Sequence, residues 1–284
     1  MTAILSRHRC TVLLLLFLLA DSLNTDLSAA GPMGWLLCLP AALAALPICR
    51  GAYRFNRWLR QQGSRWMHIL WDGFLLTVAV TCLRRMTMDF AGILRTYNDF
   101  VRTPGLLCLL LLATALYLSR LKGEGLARTA ELLFWPILAI LAWTFLVGLG
   151  DSDFGRLLPL RGEGGPKGIL YLLGRVFSQG VLAAVLLEER AEPAVLRTAF
   201  RDAMLLSGLT LGLFLAKDIA QVGWQTASRF TYPLYALAGL TRSGTGMHIE
   251  DLLICALLTA RLIKGAMLFR LLGDLAGRWQ RPCP

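Results

Sequence analysis

A chain of 284 residues that is 56% hydrophobic and only 17% charged, with mean hydropathy +0.58, falls outside the range of an ordinary soluble domain, which carries about 25% charge. Three histidines without metal-ligand spacing and seven cysteines without a C-x-x-C pair exclude a zinc site and a disulfide framework, and they predict no enzyme and no cofactor. The net charge of +11 brings nucleic acid to mind, but its distribution along the chain is that of a membrane protein.

The first apolar run, Thr11–Ala20, follows Arg7-His8-Arg9 and leads into the polar string Asp21-Ser22-Leu23-Asn24-Thr25-Asp26. Two readings fit it. One is a signal peptide ending at the small residues Ser28-Ala29-Ala30. The other is a membrane helix over 11–30 broken in its middle, an arrangement that survives at membrane depth only when buried in protein or lining a cavity. A second helix is predicted over 33–49, inside a charge-free stretch from 27 to 49. The polar interval Arg50 to His68, with five arginines plus Trp58 and Trp66, predicts an interfacial loop or short amphipathic helix. Helices follow over 70–94, 104–120 and 132–150; 103–119 and 132–150 contain no Asp, Glu, Lys or Arg. Gly162 to Pro166 form a turn with neither P-loop nor dinucleotide spacing. The remaining helices are predicted over 168–187, 202–221 and 249–272, with the aromatic segment RFTYPLYALAGL, 229–240, between the last two. Since roughly 20 apolar residues span a bilayer core, the chain is expected to be an all-α polytopic membrane protein with one transmembrane domain over 1–284.

Charge assigns the sides. With the N-terminus inside, sixteen Lys and Arg fall in the cytoplasmic set (Arg7, Arg9, Arg50, Arg54, Arg57, Arg60, Arg65, Arg120, Lys122, Arg128, Arg190, Arg197, Arg201, Arg270, Arg278, Arg281), against seven opposite (Arg95, Arg102, Arg156, Arg161, Lys167, Arg229, Arg242). Both termini are therefore expected in the cytoplasm of a cell membrane, with the lipid bilayer as partner and no nucleic acid. Basic residues inside or near helices (Arg84, Arg85, Arg175, Lys217, Arg261, Lys264) cost roughly 2.5–3.5 kcal/mol each at a helix centre, so each faces a cavity, pairs with an acid or snorkels. Asp89 lies one turn beyond Arg85 as a partner, Lys217-Asp218 reads as a snorkelling pair, and Lys264 lies well inside its helix.

Four stretches carry a family resemblance. They are Thr103-Pro104 opening a helix, followed by TALYLSRLKGEGLARTAELLFWP with Tyr117, Ala127, Arg128 and Glu131; LLPL at 157–160 followed by a Gly-rich turn and Gly168; RFTYPLYALAGL; and HIEDLLICALLTARLIKGAMLF with Glu250 and Lys264. In order and spacing the chain, from about residue 10 to 275, resembles the spore germinant receptor B-subunit (spore permease) family of the amino acid–polyamine–organocation transporter superfamily. The resemblance implies a LeuT-like inverted-repeat bundle, here with about eight transmembrane helices, shortened from ten, and with its first and sixth helices broken near the midplane. The string Asp21 to Asp26 corresponds to the first break and Arg175 to Gly180 to the second, where Val176 and Gln179 replace the family's Pro and Glu. Half-helix N-termini at such breaks favour an anionic group such as an amino acid carboxylate. Ligand contacts are therefore expected from Ser22, Asn24 and Thr25 in the first break, from Phe177, Ser178 and Gln179 in the second, and from Lys264. Interhelical hydrogen bonding accounts for the same residues without a ligand, and Asp21 or Asp26 pairing with Arg175 or Lys264 would neutralise the centre. The implied function is a spore-membrane subunit that senses a small nutrient, an amino acid by expectation, and signals to the other receptor subunits. The alternatives are a secondary amino acid or polyamine transporter and a ligand-free scaffold subunit. The Tyr-Pro segment is expected to cap the outer side, with Phe230, Tyr232 and Tyr235 at a boundary with water or lipid.

Overall fold

A computed structural model describes residues 5–23, 25–97, 103–121, 123–150, 152–157, 165–188, 190–240 and 249–280. The elements among them are helical. They run α1 (Arg7–Ser22), α2 (Leu27–Ala30), α3 (Gly34–Gln62), α4 (Arg65–Tyr97), α5 (Pro104–Ser119), α6 (Gly123–Leu149), a 3-10 turn (Phe154–Leu157), α7 (Gly165–Leu172), a π turn (Leu173–Phe177), α8 (Gly180–Leu187), α9 (Pro193–Val222), α10 (Trp224–Ala227), α11 (Pro233–Leu240) and α12 (Ile249–Gln280). Among the described residues, six stretches are long and apolar enough to cross a membrane: 34–62, 65–96, 123–149, 165–187, 193–222 and 249–278. The chain is thus an all-α, multi-pass membrane protein. Helices α1 and α5 have 16 residues each, about 24 Å at 1.5 Å per residue, less than a bilayer's hydrocarbon thickness.

Local chemistry sets the element ends. Asp26 caps α2 by accepting from the Ser28 amide at 2.9 Å. Proline opens α5, α9 and α11, where its missing N–H is one that a first turn leaves unpaired anyway. Gly223, at φ +79°, adopts the left-handed conformation that ends α9.

Helix α1 occupies the centre. From Val12 to Ala20 every residue is buried, and it packs against α6, α8, α9 and α12. A helix apolar on all sides belongs in an interior, so the segment that also reads as a signal peptide is here the innermost element of the bundle. Helix α3 lies along α9 and the α7–α8 segment, while α4 and α5 cover α12. The outward faces are apolar: Leu43, Leu109, Leu132, Trp135, Leu146 and Leu209 are exposed. Such a girdle suits lipid and not water.

Helices α3 and α9 approach closely through Gly208 and Gly212, a small-xxx-small spacing. A Cβ on Gly208 would come within 2.8 Å of the Ala42 Cβ, and one on Gly212 within 2.8 Å of the Trp35 carbonyl oxygen.

One end of the bundle is tied by ion pairs and hydrogen bonds. Arg7 meets Asp202 at 2.6 Å, Arg9 meets Glu131 at 3.1 Å, Arg190 meets Asp274 at 2.8 Å, and Arg278 meets Asp72 at 3.3 Å. Arg270 donates to the Leu121 carbonyl at 2.7 Å, and Asn56 to Glu188. This end carries the start of α1, the end of α12 and the α3–α4, α5–α6 and α8–α9 turns.

Several predicted boundaries change. The polar interval after residue 49 is no loop: α3 continues to Gln62 and α4 begins at Arg65. No Gly or Pro interrupts 52–62, and Asn56 and Leu59 turn inward while the arginines face out, so the segment is amphipathic. Helix α9 begins nine residues before the predicted 202, at Pro193, and α12 extends past the predicted 272 to Gln280. Charged first and last turns are cheap in a helix that reaches water, so absence of charge underestimates helix length. Lys217 and Asp218 do not snorkel. They are buried side by side, 3.4 Å apart, near the end of α9. The turn expected over 162–166 and the stretch LLPL lie largely outside the described residues.

Candidate functional site

Two irregular segments and one lysine meet at the centre. Helix α1 stops at Ser22, and the chain is extended at Asp26 before α2 begins. The Asp26 amide donates to the Tyr171 hydroxyl of α7 at 3.1 Å, which ties this break to the second irregular segment. There the ladder widens by one residue, the Ser178 amide donating to the Leu173 carbonyl at 2.8 Å. The side chains of the next two residues back-bond to the widened turn: Ser178 Oγ donates to the Gly174 carbonyl at 2.6 Å and Gln179 Nε2 to the Arg175 carbonyl at 2.7 Å.

Lys264, fully buried on α12, joins both segments. Its Nζ donates to Asp21 Oδ2 at the end of α1 and to Gln179 Oε1. It also stands 4.9 Å from the centre of the Phe17 ring. The end of α1 carries the negative pole of its helix dipole, so an ammonium there is held by Asp21, by an amide oxygen and by the dipole together. On the flank, Arg175 approaches Asp89 of α4 at 3.7 Å. Arg261, one turn before Lys264 on α12, is fully buried, with its guanidinium carbon 5.8 Å from the centre of the Phe90 ring.

The structure brings together some of the predicted contacts. Gln179 and Lys264 touch directly. Ser22 and Thr25 are buried at the first break, but their hydroxyls are occupied locally: Ser22 donates to the Leu19 carbonyl at 3.3 Å, and Thr25 donates to the Ser22 carbonyl. Phe177 is fully buried in the core, and Ser178 is held by the back-bond described above. Asn24 lies outside the described residues. Among the considered pairings, Asp21–Lys264 forms, whereas Arg175 takes Asp89, leaving Arg84 and Arg85 exposed on α4. In the Tyr-Pro segment, Tyr235 is not a boundary residue. It is 1% exposed, packed edge-on to Tyr232 at 6.5 Å and beside Arg261. Arg261, expected only as one of the intramembrane cations, and Tyr235, expected at a boundary, lie outside the expected ligand contacts and are further functional candidates. The available signal was periodicity: Arg261 and Lys264 are three apart on one helix face, so a lysine turned inward turns the arginine inward too.

The cluster is an electrostatic joint between three elements, with donors and acceptors but no nucleophile–base pair. Among the described residues no group of three His, Cys, Asp or Glu is placed to hold a metal ion. Among the described residues, surface hollows at the ion-paired end lie beside Arg7, Thr11 and Asp202, beside Cys49, Ala184 and Phe200, and beside Tyr53, Arg57 and Glu188; none of them reaches Lys264. No protein-family model matches the chain, and no curated protein matches it.

Proposed function

We propose that the chain is a transporter-like membrane subunit of a spore germinant receptor, sensing a small nutrient, an amino acid in the first place, and passing the signal to its partner subunits. The proposal includes a LeuT-like inverted-repeat arrangement with about eight membrane helices. It also places the protein in the spore's inner membrane, with both termini in the cytoplasm. The observation that carries it is the meeting of the α1 break, the π turn of α7–α8 and Lys264 of α12. Irregular backbone at membrane depth is where half-helix ends and a few polar side chains recognise small charged solutes. A lysine already bonded to both segments makes the joint responsive: a ligand that competes for Asp21 or Gln179 changes how α1, α7–α8 and α12 are held together.

The same saturation of Lys264 favours a second reading, a scaffold subunit whose centre is closed by its own charges. Deleting the gene and assaying germination against single nutrients tests the first reading. Loss of response to at least one nutrient is expected; normal germination with every nutrient in a strain without paralogues would sink it. Gln179→Leu separates the two readings. A sensor variant alters nutrient response while partner subunit levels stay normal, whereas a scaffold variant changes those levels or nothing.

A further inference from the structure

The central charges leave one cation over. Asp21 is matched by Lys264 and Asp89 by Arg175, and Asp21, Lys264, Arg175 and Arg261 all lie within charge range of Asp89. Arg261 itself is 0% exposed and has no carboxylate in ion-pair range among the described residues. Its Nε and Nη2 are buried and make no hydrogen bond of ordinary geometry among those residues, although the Tyr235 hydroxyl lies within reach of the guanidinium. These two nitrogens are neighbours on one edge of the guanidinium plane, and their parallel N–H groups form the fork that matches a carboxylate. The Phe90 ring answers the cation through its face and leaves that edge unanswered. A buried guanidinium is ordinarily both paired and hydrogen-bonded, so the arrangement calls for an acceptor on this edge.

The surroundings suit a small amphipathic anion. Tyr235 of α11 lies beside the guanidinium, and Tyr232 just before α11 is packed against Tyr235 and within charge range of Arg261. Tyr232 is seated on α4 at Gly92, where an added Cβ would come within 2.1 Å of its hydroxyl. The Tyr-Pro segment thus closes over Arg261 from the α11 side. We propose that Arg261, with Phe90, Tyr232 and Tyr235, forms a binding position for the carboxylate of a small organic anion, sealed by α11. The position is distinct from the Lys264 joint and gives the chain specificity for the acidic end of its ligand. This goes beyond the sensing reading and is tested without it, on purified protein: its failure leaves the germination test standing, and the reverse also holds.

The experiment is thermal unfolding of the full chain in nanodiscs with sodium propionate, sodium chloride or propylammonium chloride at equal ionic strength. Propionate is expected to give a saturable rise in Tm that the other two do not. Arg261→Lys, which keeps the charge and loses the fork, is expected to bind propionate about tenfold more weakly. Arg84→Lys, on the exposed face of α4, is expected to behave as the wild type. Equal effects of propionate and chloride on the wild type, or an undiminished propionate effect in Arg261→Lys, would overturn the proposal. Asp89→Asn tests for an internal occupant: a propionate effect present only in that variant makes Asp89 the fork's partner and also overturns it. If the lysine variant does not fold, the preference of the wild type for propionate over chloride and its persistence in Asp89→Asn still decide.

Discussion

Lys264 shows how one residue can hold three elements. Removing its charge leaves the partly buried Asp21 without a counter-ion, and a pair buried on the lysine side loses about 3 kcal/mol when one member goes. Lys264→Met is therefore expected to destabilise the protein by about that amount, and Lys264→Met with Asp21→Asn to recover most of the loss. Unfolding of the single and double variants in mixed micelles measures it, and equal losses in both would show that the pair is not coupled. This pair is one of several that the sequence leaves open: a lysine far from helix ends calls for an acid, but the polar string after residue 20 offers both Asp21 and Asp26, and Arg175 competes for them. Arg175–Asp89 was not legible: its partners lie on α7–α8 and α4, and nothing local distinguishes Asp89 as a partner for Arg175 from Asp89 as a partner for Arg85. The hydroxyls of Ser22, Thr25 and Ser178 illustrate the opposite case. Polar residues at a break attract a ligand reading, yet each is consumed by a carbonyl three or four residues back.

Among the elements, α3 and α9 make an exacting contact, because glycines on one face the other at close range. Gly212→Ala is expected to push the pair apart and to cost about 1–3 kcal/mol, a typical penalty for overpacking. Gly51→Ala, also in a helix but with nothing within 4 Å of the added methyl, is expected to be neutral or stabilising by about 0.5–1 kcal/mol. A comparison of the two Tm values checks both, and a neutral Gly212→Ala would show that α3 and α9 are not packed as described. Element identity was legible from apolar runs, since hydrophobic length alone sorts membrane helices. Element length was not. Charge was read as the end of a helix, whereas in α3, α9 and α12 helical backbone continues through charged residues that reach water or pair with neighbouring helices. The π turn left no mark in composition, because it depends on side chains of Ser178 and Gln179 bonding backwards.

On the scale of the whole molecule, the helix turn 63–64, residues 190–192 and the start of α1 gather at the ion-paired end, while α10 and the start of α12 lie at the other. If the basic end faces the cytoplasm, Ser64→Cys is expected to resist a membrane-impermeant maleimide in intact cells and Thr226→Cys to react. The reverse pattern would invert the orientation. Labelling has a favourable background: Cys10, Cys38, Cys49, Cys82 and Cys108 are buried, and Cys255 is the exposed cysteine among the described residues. The continuous run of α3 has a mechanical consequence. Its first turns pack against α7–α8 and α9, and its last turns are tied as well, Asn56 donating to Glu188 and accepting from Trp71 at 2.9 Å. Between the two attachments lies Pro47, whose missing N–H removes a rung of the helical ladder. Helix α3 is thus anchored at both ends and softest in its middle, so any bend it takes is expected at Pro47.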